Sequence, residues 1–349
     1  MHIRSFLTFI VLLCACENPI DFQDFGTYTP TLVINNYFTP DSLWSVRISK
    51  SIAINEPSLL SELFVRNAKV LIYSASNPNT ILTHTENGIY RSRSGLRPMA
   101  GENYTIEASS LGFQTIRSTS SAPKLNTQFV SIHAVDSIDF AQRQLPTYRL
   151  RFRVIDLPGK SYYRLKLYEV APTCSDKIDG YTRLDPHGGH TQLDYLLVTS
   201  LKSSEASFFS DPISLDEPPD PLYGDFSSAF NTVYFSDRLF EDTHQEFELF
   251  FEPYISLSTN FVSTHFMVEI SGLSEDYFLH ERSRLLQFEY LDPSDYLFTT
   301  PIELYSNVER GLGIFAGYSI DTYRIDSKGN KWVESDIGLG EHPIPLCYR

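Results

Sequence analysis

The chain has 349 residues, 42% hydrophobic and 14% aromatic, which excludes a disordered protein and leaves room for two domains. Its 43 acidic residues outnumber 28 basic ones for a formal charge of −15, which argues against a nucleic-acid partner, since phosphate neutralisation needs clustered Lys and Arg. No stretch approaches the ~18 consecutive apolar residues of a transmembrane helix.

The N-terminus reads as an export signal. Arg4 lies in a short basic head, and Phe6 to Leu13 form an apolar core too brief to span a bilayer. Leu13-Cys14-Ala15-Cys16 then resembles a bacterial lipobox, with an aliphatic residue at minus three and small residues before the obligatory cysteine. Cleavage before Cys14 would instead put Leu13 where a small residue is required, so Cys16 is the expected acceptor of diacylglycerol. Residues 1–15 are therefore assigned to a lipoprotein signal peptide. Residues 16–30, aperiodic and containing Pro and Gly, are assigned to a tether.

The expected fold is mostly β: an N-terminal immunoglobulin-like sandwich over 31–123, then a larger β-rich domain with one or two helices over 124–349. In the first, strands are expected at Thr31–Phe38, Trp44–Ile52, Val65–Ser74, Ile81–Thr85 and Tyr104–Ala108. Ser118 to Lys124 is polar and carries Pro123, and the boundary is placed there.

In the second, Tyr148 to Val154 alternates strictly, with Arg149, Arg151 and Arg153 on one face and apolar residues on the other. Leu157-Pro158-Gly159-Lys160 is a turn sequence, and alternation resumes at Tyr163 to Leu167, which predicts a β-hairpin. Further strands are expected at Leu196–Ser200, Asn231–Phe235, Glu246–Phe251, Phe266–Ile270 and Ile314–Tyr323. Ser274 can cap a helix running to Tyr290, with Glu275 and Asp276 at its positive end.

Candidate chemistry is sparse. With Cys14 removed and Cys16 acylated, Cys174 and Cys347 are left in an oxidising compartment and are expected to form one disulfide; two unpaired thiols are the alternative, which geometry decides. His187 and His190, flanked by Asp185 and Asp194, have transition-metal ligand types, but on a glycine loop they read first as a polar turn. Asp216, Glu217, Asp220 and Asp225 of the acidic loop 211–225 could ligate Ca²⁺, yet match no EF-hand spacing. Gly311-Leu312-Gly313 with Ala316 formally fits a dinucleotide fingerprint; without βαβ alternation it reads as the start of a strand whose glycines make room for packing. No Gly-x-Ser-x-Gly elbow and no paired glycosidase acids stand out, and the 21 Tyr and 25 Phe are first of all core residues. No catalytic residue, metal or cofactor is expected.

Several separated segments resemble the Bacteroidota lipoprotein family catalogued as domain of unknown function 4249. They are Cys16-Glu17, Leu32 to Asn35, Val65 to Val70, Gly101 to Tyr104, Phe235-Ser236-Asp237, Ile270-Ser271 before Tyr277, Pro301-Ile302, and Tyr305 to Phe315. The resemblance covers nearly the whole chain. It implies an outer-membrane lipoprotein, often encoded beside TonB-dependent transporters, with no established catalytic residues. The resulting expectation is a non-enzymatic accessory or binding lipoprotein, possible partner to such a transporter. A cell-surface hydrolase and a structural or adhesive envelope protein are the alternatives.

Overall fold

In the computed structural model, residues 28–333 are described apart from 54–55, 57, 77–78, 94, 141–142, 175, 179–180, 184–190, 198–200, 202, 204–231, 252–254, 257–260, 263–264 and 290–302. The strands among them are, in chain order, β1 Leu32–Phe38, β2 Ser45–Lys50, β3 Lys69–Ser74, β4 Thr80–His84, β5 Ile89–Ser92, β6 Asn103–Ser109, β7 Ile116–Ser121, β8 Thr127–Phe140, β9 Arg143–Ile155 and β10 Tyr162–Cys174. They continue with β11 Asp176–Ile178, β12 Tyr181–Arg183, β13 Thr191–Leu197, β14 Val233–Ser236, β15 His244–Phe251, β16 Ile255–Ser256, β17 Phe261–Val262 and β18 His265–Leu273. Helix α1, Glu275–Glu289, and strand β19, Leu312–Asp326, complete the set. The chain is mostly β, as its alternation predicts.

β1 shows how pattern becomes position. Leu32, Ile34 and Phe38 fall on one face at two-residue spacing and are buried. The strand pairs antiparallel with β2 and parallel with β19, so residues near the two ends of the described chain lie side by side. Hydrogen bonding then continues without a break in the order β19-β1-β2-β5-β4-β3-β6-β7, where an immunoglobulin-like sandwich would divide into two sheets.

The curl brings β7 back against β19. Arg117 and Glu309 form a bridge, and the Ser319 hydroxyl donates to the Pro123 carbonyl at 2.5 Å. Leu32, Trp44, Ile72, Tyr104 and, from the far end of the chain, Phe315 fill the interior. Asn307 fixes Phe315 from beside the strand, accepting from its N–H at 3.0 Å and donating to its carbonyl at 2.8 Å. Of the polar stretch Ser118 to Lys124 that reads as a linker, Ser118 to Ser121 are the last four residues of β7. Ser118 and Ser120 can face inward because each hydroxyl has an acceptor, the Asn307 carbonyl at 2.9 Å and the Asp276 carboxylate at 3.1 Å.

The second half stacks layers. One sheet, in the order β15-β9-β8, packs against the far part of the large sheet, β13-β10-β18-β19, with β14 beside β10. Leu150, Phe152 and Phe247 meet Leu165, Val268 and Ile270 across the interface. On the outer face of β9 the three arginines meet β15 carboxylates: Arg151 and Arg153 pair with Glu246, and Arg149 with Glu248 at 3.5 Å.

The predicted hairpin is not formed. β9 bonds to β8 and β15, whereas β10 bonds to β13, β14 and β18. The turn at Gly159, φ 99°, carries the chain from one sheet to the opposite one. Both strands bury their apolar face, and facing each other satisfies this as side-by-side pairing would not.

α1 adds the third layer, over the other face of β10, β18 and β19. Its cap is as predicted: the Ser274 hydroxyl accepts from the Tyr277 N–H at 3.3 Å, and the helix starts one residue later. Tyr277 and Phe278 pack on Tyr162, Ile314 and Tyr318.

Candidate functional site

The residues singled out from sequence fall largely outside the described ones. Cys16, His187, His190, the acidic loop 211–225 and Cys347 all lie there, and Cys174 is the last residue of β10. Among the described residues no group of three or more His, Cys, Asp or Glu could hold a metal. Gly311 and Gly313 do serve packing. A Cβ on Gly313 would lie 1.9 Å from the Ile34 carbonyl oxygen, and one on Gly311 would lie 2.8 Å from that of Leu32. β19 therefore approaches β1 closely because these positions lack side chains.

Among the described residues, a polar cluster forms a seam beneath α1. Alternation on β10 puts Leu165 and Leu167 into the sandwich, so Arg164 must point the other way, toward the helix. There it is buried, 9% exposed, with one Nη donating to the Tyr277 hydroxyl at 2.7 Å and the other to Ser271 at 3.1 Å. Its guanidinium lies over the rings of Tyr277 and Tyr318, 5.5 and 5.7 Å from their centroids. Its charge is thus met by hydroxyl dipoles and ring quadrupoles, while its Nε has no hydrogen-bond partner.

One helical turn further, His280 and Glu281 face β1 and β14. The Tyr37 hydroxyl lies 2.6 Å from His280 Nδ1 and 3.1 Å from Glu281 Oε1. One hydroxyl proton cannot serve both. A carboxylate only accepts, so Tyr37 donates to Glu281 and His280 Nδ1 carries the proton that Tyr37 accepts. Glu281 also accepts from Arg284, at 3.2 and 2.7 Å, and from the Tyr234 hydroxyl at 3.4 Å.

The electrostatics follow from this geometry. Burial alone would raise the Glu281 carboxyl, but the Arg284 hydrogen bonds and charge outweigh it and hold the group below the usual carboxylate range. His280 is pushed down by burial, with Glu281 opposing and Arg284 adding, and is neutral at pH 7. Tyr37 is pushed far up, first by burial and then by Glu281 and Tyr277, so it remains a hydroxyl donor. Glu281 is engaged by three side chains, which makes the seam a clamp between helix and sheet rather than a poised acid or base.

The sequence reading named Ser271 and Tyr277 only as family segments and gave no role to Arg164, Tyr37, His280 or Glu281. The usable signal was Arg164 and Lys166 alternating with apolar residues on a strand later followed by a helix able to cover it.

The chain matches the family model described as domain of unknown function DUF4249 over residues 17–324, and belongs to that family. No curated protein matches it.

Proposed function

We propose that this protein is a lipid-anchored accessory lipoprotein of the outer membrane, held by acyl chains on Cys16, whose folded body binds a partner rather than catalysing a reaction. The carrying observation is Leu13-Cys14-Ala15-Cys16 placed directly after a short basic and apolar head. Two or three acyl chains anchor stably where one alone is marginal. Residues 16–30, aperiodic and containing Pro and Gly, are the tether in this reading. No described helix is long and apolar enough to cross a membrane, so lipidation supplies the attachment in this reading. The seam under α1 is engaged within the fold and is read as structural, and the partner in this reading, a TonB-dependent transporter, rests on the family resemblance. Cys174 and Cys347 form one disulfide in this reading, suited to an oxidising compartment.

The test is metabolic labelling with an alkyne fatty acid in the native host, followed by a mild-detergent pull-down beside Cys16→Ala. Label on the wild type, none on the variant, and stoichiometric recovery of a transporter support the proposal. An unlabelled wild-type protein released from the envelope overturns the anchor, and recovery of the lipoprotein alone overturns the partner.

A further inference from the structure

The hydrogen bonds of the N-terminal sheet show which loops share its first end. Thr31 accepts from the Ser51 N–H, Lys50 donates to the Leu63 carbonyl, Ile48 donates to Gly88, Ser110 donates to Asn67, and the Thr31 hydroxyl donates to the Arg310 carbonyl. The described residues of 51–53, 56 and 58–68, with 85–88, 109–116 and 309–312, therefore ring the end at which the chain arrives from Tyr28. β19 starts at this end and carries the chain away into the second half, its far end ~45 Å off at strand rise.

This end is apolar where water should reach it. Leu111 is 93% exposed, Leu60 70%, Leu59 68% and Leu312 46%. A single exposed leucine needs no explanation, but several on loop tips at one end of a module mark a contact surface. Charges in these segments are mixed, Arg66 and Arg310 among Glu56, Glu62, Glu86 and Glu309, so that they carry −2 of the formal −15 of the whole chain. Most of the repulsion an anionic leaflet would exert on this protein therefore arises elsewhere on the chain. Tyr28 is twelve chain steps from Cys16, a reach of at most ~43 Å fully extended and ~20 Å as a relaxed coil.

We propose that this end of the N-terminal sheet rests on the bilayer that holds the Cys16 acyl chains, with Leu59, Leu60 and Leu111 entering the headgroup–acyl boundary. The module is then a pedestal that orients the second half away from the membrane. The occupant is lipid because the tether delivers this end, and not the far one, to the leaflet. Insertion by a few leucines is weak alone, and suffices once the anchor has made it intramolecular. The inference rests on the lipid-anchor reading.

The test uses full-length acylated protein carrying a fluorescent amino acid, dansylalanine, at position 60, 111 or 328. It is reconstituted into phosphatidylethanolamine–phosphatidylglycerol vesicles containing lipid with a nitroxide high on the acyl chain. Positions 60 and 111 should shift to the blue and lose emission ~3-fold, with 328 unchanged, as expected for side chains ~5–10 Å into the boundary. Unquenched probes at 60 and 111 on protein that still floats with vesicles overturn the docking and leave the anchor intact. A blue shift without quenching marks cover by protein and overturns the lipid assignment. Protein that carries no acyl mass and does not float overturns both readings.

Discussion

Gly313 shows how much of this fold depends on a single missing side chain. Its φ of 101° is strained for any L-residue, and the Ile34 carbonyl occupies the space a Cβ would need. Gly112 has a similar φ of 85° but open space around it, which separates the two contributions. Gly313→Ala should cost ~3 kcal/mol or more and Gly112→Ala ~1 kcal/mol, read from urea midpoints at unchanged slope. Equal costs would show that β19 does not need its close approach to β1. His280 allows a second residue-scale prediction. Burial depresses its folded value below the ordinary 6.5, so on acidification the unfolded chain takes up the proton first. The stability this neutral ring contributes is therefore full above pH 6.5 and lost as pH falls below it. Glu281, also depressed, loses its contribution only below its ordinary 4.5, so the loss that begins at 6.5 does not come from it. His280→Asn keeps a donor near the Nδ1 position and removes the titration. The variant should show a flatter stability–pH curve immediately below 6.5, and an unchanged slope would exclude His280 as the source.

At the scale of elements, α1 is the layer most open to perturbation. Ser274→Ala removes an acceptor for the Tyr277 N–H and should cost ~1 kcal/mol. The Lys160–Glu275 ion pair beside it, 2.9 Å long but largely exposed on both sides, should cost less than ~0.5 kcal/mol when Lys160 is replaced by Ala. Thermal melts of the two variants test that order, and the reverse order would mean that the cap is not the stronger tie. The existence of these elements was legible in sequence wherever local chemistry decides it. The Ser274 cap with Glu275 and Asp276, and the alternation from Tyr148 to Val154, each specify an element unaided. Pairing was not legible. The turn through Pro158 and Gly159 is compatible both with a hairpin and with a crossover to an opposing sheet, and only the burial of two apolar faces at once decides between them. β7 was missed because inward serines look like linker until their acceptors at Asn307 and Asp276, more than 150 residues away, are in place. The seam was hidden for the same reason: an arginine on an alternating strand reads as solvent-facing unless the helix that covers it is already known.

At the scale of the whole molecule, β19 ties the halves together. Its first residues pair with β1, its later ones with β18, and Phe315 and Ile325 belong to different cores. Residues 28–124 contain every other strand of the N-terminal sheet, so sequence alone suggests a segment able to fold independently. Without β19, β1 loses a parallel partner over six residue pairs, and β7 loses the strand that it curls back against. The core also loses Phe315 and Val308, both from beyond residue 300. Burying one such aromatic contributes ~2 kcal/mol, and an exposed β1 edge adds unpaired N–H and C=O groups, together a large share of the ~5–15 kcal/mol that holds a domain folded. Fragment 28–124 should therefore be unfolded or aggregated in isolation, with no cooperative melt and no protected amides. The same fragment joined through a flexible linker to residues 303–326 should regain both, because those residues supply Val308, Asn307 and the whole of β19. A cooperative melt from 28–124 alone would show that the first half is an autonomous domain and that β19 merely decorates it. Rescue only by the longer chain would show that the chain's late strand is a structural part of its first module, so that folding of the first half waits for synthesis to pass residue 326.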